Sequence, residues 1–323
     1  MKSITITEHG GPEVLTVRET DIPRVGPRDV LVRVEAAGVN FLDTYQRAGT
    51  YPLALPFTLG SEGAGIVEDC GSEVNDLRVG QRVGWMSYPG GYAEYAAIPR
   101  ERIVALPHEV STTVAAAVLL QGVTAHYLAT SVYPVAPGTT TLVHAAAGGT
   151  GRLLVQTIVA RGGEVIATTS TPEKAARAAS AGASHVLSYD DDISARVREL
   201  TGGRGVDVVY DGVGATTFEA SLASLRPRGV LALFGASSGQ VPPFDLQRLN
   251  GLGSLVITRP TLQHFLQTPE EFAWRTGEVL NAVADGSLEV TIAGEYSLEE
   301  AGRAHVDLQS RALSGKLLIR PGA

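Results

Sequence analysis

The residues with the most evident chemical purpose are Ala145-Ala146-Ala147-Gly148-Gly149-Thr150-Gly151, lying between an apolar strand candidate, Thr141-Leu142-Val143-His144, and an apolar helix over Leu153 to Val159. Gly148 and Gly149 let a backbone approach a pyrophosphate, and Gly151 permits tight packing of the helix. The helix N-terminus turns free N–H groups toward the anion. Ala146 replaces the first glycine of G-x-G-x-x-G, so the string alone is degenerate, and its place between strand and helix carries the reading. About twenty residues on, an NAD site would end its second strand in Asp or Glu to hold the ribose 2′-OH. This chain instead reads Thr168-Thr169-Ser170-Thr171-Pro172-Glu173-Lys174. Hydroxyls replace the acid, and Lys174 falls in the first helical turn, where a cation opposes the macrodipole. A cation there suits the 2′-phosphate of NADP; the bland alternative is a surface lysine beside Glu173. NADPH is the expected cofactor.

Two other patterns could suggest chemistry. Gly235-Ala236-Ser237-Ser238-Gly239 fits G-x-S-x-G and follows a strand. A nucleophile elbow must open a helix, however, and Val241-Pro242-Pro243-Phe244 cannot continue as one. A Gly/Ser turn lining a cofactor cleft is the better reading. The seven histidines (His9, His108, His126, His144, His185, His264, His305) show no paired metal-ligand spacing, and each reads as a surface or satisfied structural residue.

These residues need elements to hold them. Up to about residue 120, short alternating runs such as Ile4-Thr5-Ile6, Val14 to Val17, Val30 to Val34, Gly65 to Glu68, Gln81 to Trp85 and Tyr92 to Tyr95 alternate with Gly/Pro turns, predicting a β-rich barrel or sandwich. From about Thr139 six apolar strands recur, at Thr141, Val165, His185, Val206, Val230 and Leu255. Helices over Arg152 to Arg161, Glu173 to Ala181, Ile193 to Leu200 and Thr216 to Leu225 separate most of them. That alternation predicts βαβ units and a parallel sheet of the dinucleotide-binding type. A tail follows with a helix over Pro269 to Ala284, a strand at Val290 to Ile292, a helix over Leu298 to Gln309 and a strand at Lys316 to Ile319. Because chain ends in compact domains lie near one another, the tail is expected to rejoin the first domain. The predicted domains are therefore 1–120 plus 260–323, and 121–259.

The run Gly38-Val39-Asn40-Phe41-Leu42-Asp43-Thr44-Tyr45 through Tyr51-Pro52, followed by Leu55 to Gly65, resembles quinone oxidoreductases of the zeta-crystallin type. These are zinc-free members of the medium-chain dehydrogenase/reductase superfamily. The likeness continues through His144 to Gly151, Phe234 to Gly239, Thr258-Arg259-Pro260 and Ser310 to Gly315, covering nearly the whole chain. It implies a GroES-like catalytic domain with an inserted Rossmann domain (α/β, a doubly wound six-stranded parallel sheet) and NADPH in the cleft between them. It also implies that Asn40, Tyr45, Tyr51 and Gln121 surround the nicotinamide and the acceptor. Asn40 and Gln121 could hydrogen-bond the carboxamide or a substrate oxygen, while the two tyrosines offer a flat face to a planar quinone. Solvent could supply the proton in place of a phenol, which is a weak acid at neutral pH. The expected cofactor contacts are Thr124, Gly148, Gly149, Thr150, Gly151, Ser170, Lys174, Tyr189, Phe234, Gly235, Ser237 and Arg311, with Lys174, Tyr189 and Arg311 at the adenosine phosphate. Zinc-dependent relatives carry Cys, His and Cys where this chain has Asn40, Ser61 and Gln121, so no metal is expected.

Composition narrows the remaining classes. Of 323 residues, 26 are Lys or Arg and 34 are Asp or Glu, a net charge of −8 with no basic tract to hold nucleic acid. The one cysteine, Cys70, cannot form an internal disulfide, which fits a reducing compartment. No apolar run approaches the length of a membrane span and the N-terminus has no signal-like apolar region, so a cytoplasmic protein is expected. The expected reaction is metal-free hydride transfer from NADPH to a small quinone. Alternatives are an enone or alkenal double-bond reductase and a non-catalytic NADPH-binding protein. A homodimer is expected through the sixth strand, which should lie apolar at a sheet edge.

Overall fold

Six strands of the computed structural model, which describes residues 1–322, form one parallel sheet. They are β1 (Thr140–Val143), β2 (Glu164–Thr169), β3 (His185–Ser188), β4 (Val206–Asp211), β5 (Leu225–Leu233) and β6 (Val256–Thr258). Their spatial order is β3-β2-β1-β4-β5-β6, the order of a full dinucleotide-binding fold, whose crevice opens at the carboxyl ends of β1 and β4 where the winding reverses. The strands are near-continuously apolar because helices cover both faces: Leu142, Ile166, Val209 and Leu231 sit in one buried cluster with Phe218 and Leu222. The connecting helices are α1 (Gly149–Ala160), α2 (Pro172–Ser180), α3 (Ile193–Leu200) and α4 (Phe218–Ser224). Thr171 caps α2 by accepting from the Lys174 N–H, with Pro172 at the first helical position. This sheet belongs to the unit Gly122–Gln267.

The other unit comprises Met1–Gln121 and the chain from Thr268 onward. Its main sheet runs Ile292–Ser297, Lys316–Arg320, Asp29–Val39, Glu62–Cys70, Arg82–Met86 and Ile103–Ala105, with Tyr95–Pro99 also pairing Asp29–Val39. The C-terminal strand lies antiparallel to Asp29–Val39, with Leu317 opposite Val39 and Leu318 opposite Gly38. Several elements differ from the sequence-based expectations. Val14 to Thr16 is no strand: a short 3-10 turn spans Pro12–Val14 and the strand is Val17–Glu19. The strand expected at Tyr92 begins at Tyr95, and the one expected at Val290 is Ile292–Ser297. Both owe their pairing to a distant partner strand rather than to local alternation.

Helices absent from the sequence reading also appear, the longest of them Phe41–Arg47 and Thr112–Tyr127. The second continues as a π turn over Leu128–Val132. Contrary to expectation, Thr112–Val132 is long and apolar enough by composition to cross a bilayer, yet 72% of its apolar stretch is buried within the protein. That burial is the behaviour of a core helix.

Candidate cofactor and substrate site

The glycine loop lies at the carboxyl end of β1. Ala145 adopts the left-handed conformation (φ 51°), and its N–H donates to Tyr189 Oη at 2.8 Å. The Gly148 N–H returns to Ala145 O, while helix α1 starts at Gly149 with no side-chain cap. Its first N–H groups therefore point out of the helix with no intrahelical acceptor, as a phosphate requires. Gly151 is needed for a close approach: a Cβ there would lie 2.3 Å from Ala145 O. The tightness comes from the loop folding back on its own helix, so Gly148, Gly149, Thr150 and Gly151 form a cradle suited to a pyrophosphate.

Beneath the loop lies a buried polar cluster. Asp211 Oδ2 accepts from Ser221 Oγ at 2.8 Å and Thr217 Oγ1 at 2.7 Å. With its hydrogen so committed, Ser221 Oγ accepts from His144 Nε2 at 3.0 Å, and His144 Nδ1 then accepts from Thr168 Oγ1 at 2.9 Å. Burial lowers the His144 pKa, which keeps the ring neutral in this tautomer. Its ring lies nearly parallel to Tyr189, at 6.1 Å and 15°. Thr168 and Thr169 are buried, so of the hydroxyls at the end of β2 it is Ser170 that faces outward. Lys174 Nζ donates to Ser170 Oγ at 3.3 Å.

On the neighbouring strand, Phe234 N–H and Gly235 N–H both donate to Asp211 O, and a Cβ on Gly235 would lie 2.3 Å from Gly212 O. Ser237 N–H donates to Gly212 O, and no helix follows before Arg248. The Gly-x-Ser-x-Gly string is thus a turn locked to the loop after β4, with no elbow geometry.

In the other unit the helix Phe41–Arg47 carries Tyr45, whose ring meets that of Tyr51 edge to face at 5.4 Å and 77°. Tyr51 is 44% exposed, so the pair presents aromatic surface outward. Asn40 begins this helix: its N–H donates to Asp43 Oδ2 at 2.8 Å. Asp43 is fully buried and gathers four donors, since Oδ1 accepts from Ser61 N–H and Ser61 Oγ, and Oδ2 also accepts from Tyr92 Oη. Burial pushes the Asp43 carboxyl up to about 6, against the pull of Ser61, Asn40 and Lys316. Beyond Tyr92, His305 Nε2 donates to Tyr92 Oη at 3.1 Å because Arg47 donates to Nδ1. Burial and Arg47 hold His305 near 3.

The Asn40 side chain is equally occupied. Lys316 Nζ donates to Asn40 Oδ1 at 2.7 Å, and Asn40 Nδ2 donates to Glu62 Oε1 at 2.8 Å and to Gly38 O at 3.3 Å. Lys316 and Glu62 form a fully buried ion pair, and Glu62 Oε2 accepts from Leu120 N–H. Gln121 and Thr124 are half-buried on the helix Thr112–Tyr127, one in each unit, and Arg311 ends the helix Ala301–Ser310 in a left-handed conformation (φ 58°). Apart from Gln121, Thr124 and Arg311, the expected site residues fall into two groups. Asn40, Tyr45 and Tyr51 gather at one helix, while the glycine loop, Tyr189, Ser170, Lys174 and the Phe234–Ser237 turn gather at one end of the parallel sheet. Sequence reasoning missed Asp43, Glu62, Tyr92, His305 and Lys316. The available signal was one acid inside the Gly/Ala run Gly60 to Gly65 and one lysine beside an apolar strand.

This chemistry does not suit a catalytic zinc. Asn40 presents an amide held by an ammonium, Ser61 Oγ is spent on Asp43, and the Lys316 cation lies directly against Asn40 Oδ1. Among the described residues no group of three His, Cys, Asp or Glu side chains could hold a metal.

Residues 26–108 match the alcohol dehydrogenase GroES-like domain, and residues 149–274 match the family described as zinc-binding dehydrogenase. A quinone oxidoreductase of Pseudomonas aeruginosa is 43% identical over 323 residues, covering 99% of both chains. The chain belongs to the quinone oxidoreductase family, within the medium-chain dehydrogenase/reductase superfamily. The crystal structure of the Escherichia coli quinone oxidoreductase complexed with NADPH superposes with a TM-score of 0.97 at 41% identity, covering 99% of this chain and 100% of that one. A 2-haloacrylate reductase from a Burkholderia species is 39% identical over 327 residues, covering 98% of each. This quinone oxidoreductase family member therefore carries the zinc-family fold with a donor set unsuited to zinc.

Proposed function

We propose that the protein reduces small quinones with NADPH and without metal. The observation that carries this reading is the pyrophosphate cradle at the end of β1, in a chain matched end to end by quinone oxidoreductases. Gly148, Gly149, Thr150 and Gly151 hold the pyrophosphate, with Thr124 and the Phe234–Gly235–Ser237 turn as further cofactor contacts. Ser170, Lys174, Tyr189 and Arg311 serve the adenosine phosphate, and the absence of an acid at the end of β2 favours NADP over NAD. When bound, NADPH supplies the hydride, and one proton completes the hydroquinone. The protein's task is to align donor and acceptor and to exclude water. Tyr45 and Tyr51 give a planar quinone an aromatic wall, and Gln121 supplies an amide beside it.

With a donor set that does not suit a metal, isolated carbonyls of simple ketones should react poorly, whereas a quinone ring delocalises the incoming charge. The same argument admits activated C=C bonds, and the likeness to a 2-haloacrylate reductase favours that second reading over others.

We further propose a homodimer joined at β6, which pairs only with β5 among the described strands and carries Val256 at 51% exposure. We place the protein in the cytoplasm on the strength of its lone free Cys70. The test of the reaction is NADPH consumption on addition of 1,4-benzoquinone, with hydroquinone formed in equal amount. Absence of turnover alongside NADPH binding would point instead to a binding role.

A further inference from the structure

Asp211, Ser221, His144 and Thr168 form one chain of hydrogen bonds, all of them buried beneath the glycine loop. The Asp211 carboxylate only accepts, and its donors are the N–H groups of Val213 and Gly214 and the hydroxyls of Thr217 and Ser221. Its claim on the Ser221 hydrogen sets every later link. Ser221 Oγ is left to accept from His144 Nε2, and His144 Nδ1 to accept from Thr168 Oγ1. The hydrogens thus all point one way, from β2 across β1 to β4. Asp, His and Ser are also the residues of a hydrolytic triad. Here, however, the serine gives its hydrogen to the carboxylate and receives one from the histidine, the reverse of what a nucleophile needs.

What the chain steadies is the first residue of the loop. Ala145 follows His144 in a left-handed conformation (φ 51°), a strained state for a residue with no polar side chain to secure it. Its carbonyl nevertheless shapes the cradle: Ala145 O accepts from the Gly148 N–H and lies 2.3 Å from where a Gly151 Cβ would sit. Neighbours must therefore fix Ala145. Before it stands His144, whose N–H donates to Tyr210 O at 3.0 Å and whose ring is clamped between Thr168 and Ser221. The Ala145 N–H itself is held by Tyr189 Oη, with the Tyr189 ring nearly parallel to that of His144.

We propose that Asp211, Ser221 and His144 are positioning residues that hold the glycine loop in its phosphate-binding shape before the cofactor arrives. A loop already in shape loses less freedom on binding, so the intact chain raises affinity for ligands whose phosphates reach the loop. The inference rests on the reading that this loop receives the NADPH pyrophosphate.

The test is calorimetric titration with two ligands that share adenosine and its 2′-phosphate: 2′-phospho-ADP-ribose, which has the pyrophosphate, and adenosine 2′-monophosphate, which lacks it. The unaltered protein should favour the first, and Ser221→Ala should cut that preference about fivefold, the equivalent of one hydrogen bond. Ser224→Ala, which removes another buried hydroxyl of α4, bonded to Ala220 O, should leave the preference unchanged. Because the preference compares two affinities of one protein, partial unfolding cancels from it. An NMR spectrum of the imidazole nitrogens should show His144 neutral with its hydrogen on Nε2. Asp211→Asn should move that hydrogen to Nδ1: Val213 and Gly214 claim the amide oxygen, so the NH2 faces Ser221 and the chain reverses. A preference intact in Ser221→Ala, an equal fall in Ser224→Ala, or a His144 hydrogen on Nδ1 in the unaltered protein would overturn the proposal. If the unaltered protein binds neither ligand, or binds both equally, the functional reading itself falls, and this inference with it.

Discussion

At the scale of single residues, the proposed cofactor preference and the response of the fold to acid both turn on charge placement. Lys174 and Ser170 form the outward-facing pair at the end of β2. Lys174→Ala should weaken NADPH about tenfold and leave NADH nearly unchanged, checked by the ratio of kcat/KM values for the two cofactors; equal losses for both would refute the assignment. The acid response follows from buried side chains. His305 is held near 3 against an ordinary value of 6.5, so the unfolded chain binds a proton in that window and the folded one does not. Stability is complete above pH 6.5 and falls as the pH drops toward 3. His144, also lowered, acts in the same direction. Asp43, raised to about 6, acts oppositely: folding gains stability as the pH falls from 6 to 3.8. Between pH 6 and 3.8 His305 and Asp43 offset one another, and the lowered His144 tips the balance to a net loss in acid. Thermal melts between pH 7 and 4 should fall, and His305→Gln should flatten the decline by up to about 1.4 kcal/mol per pH unit. A variant as pH-dependent as its parent would contradict this.

At the scale of elements, the cradle depends on the absence of a side chain at Gly151. Gly151→Ala places a methyl 2.3 Å from Ala145 O, and backbone must shift to admit it. We expect a loss of roughly 1–3 kcal/mol in denaturant melts together with weaker NADPH binding; unchanged binding would mean that the loop is not the phosphate site. The parallel sheet was legible in the sequence because its central strands are buried almost throughout and helices such as α2 and α3 start at local signals, Thr171-Pro172 and Asp192. The strand Ile292–Ser297 was not, because Gly294 and Glu295 break any alternation and its pairing comes from Lys316–Arg320. The candidate site was legible where chemistry is local, as in the glycine loop and the acid-free end of β2. It was opaque where partners lie far apart: Asn40 and Lys316 are separated by 276 residues, and nothing near Asn40 announces the ammonium that fixes its amide.

At the scale of the whole molecule, the exposed edge of β6 predicts a dimer mass by light scattering at micromolar concentration, and a monomer would defeat that proposal. The acceptor is distinguished by one comparison: the initial rate of NADPH oxidation with 1,4-benzoquinone, with 2-chloroacrylate and with a simple ketone, each at saturating NADPH. A conjugated ring that spreads the incoming charge needs no Lewis acid, an activated double bond shares part of that advantage, and an isolated carbonyl lacks it. Metal-free quinone reduction predicts kcat/KM highest for the quinone, lower for the haloacrylate and near background for the ketone. Turnover of the haloacrylate faster than the quinone would contradict it.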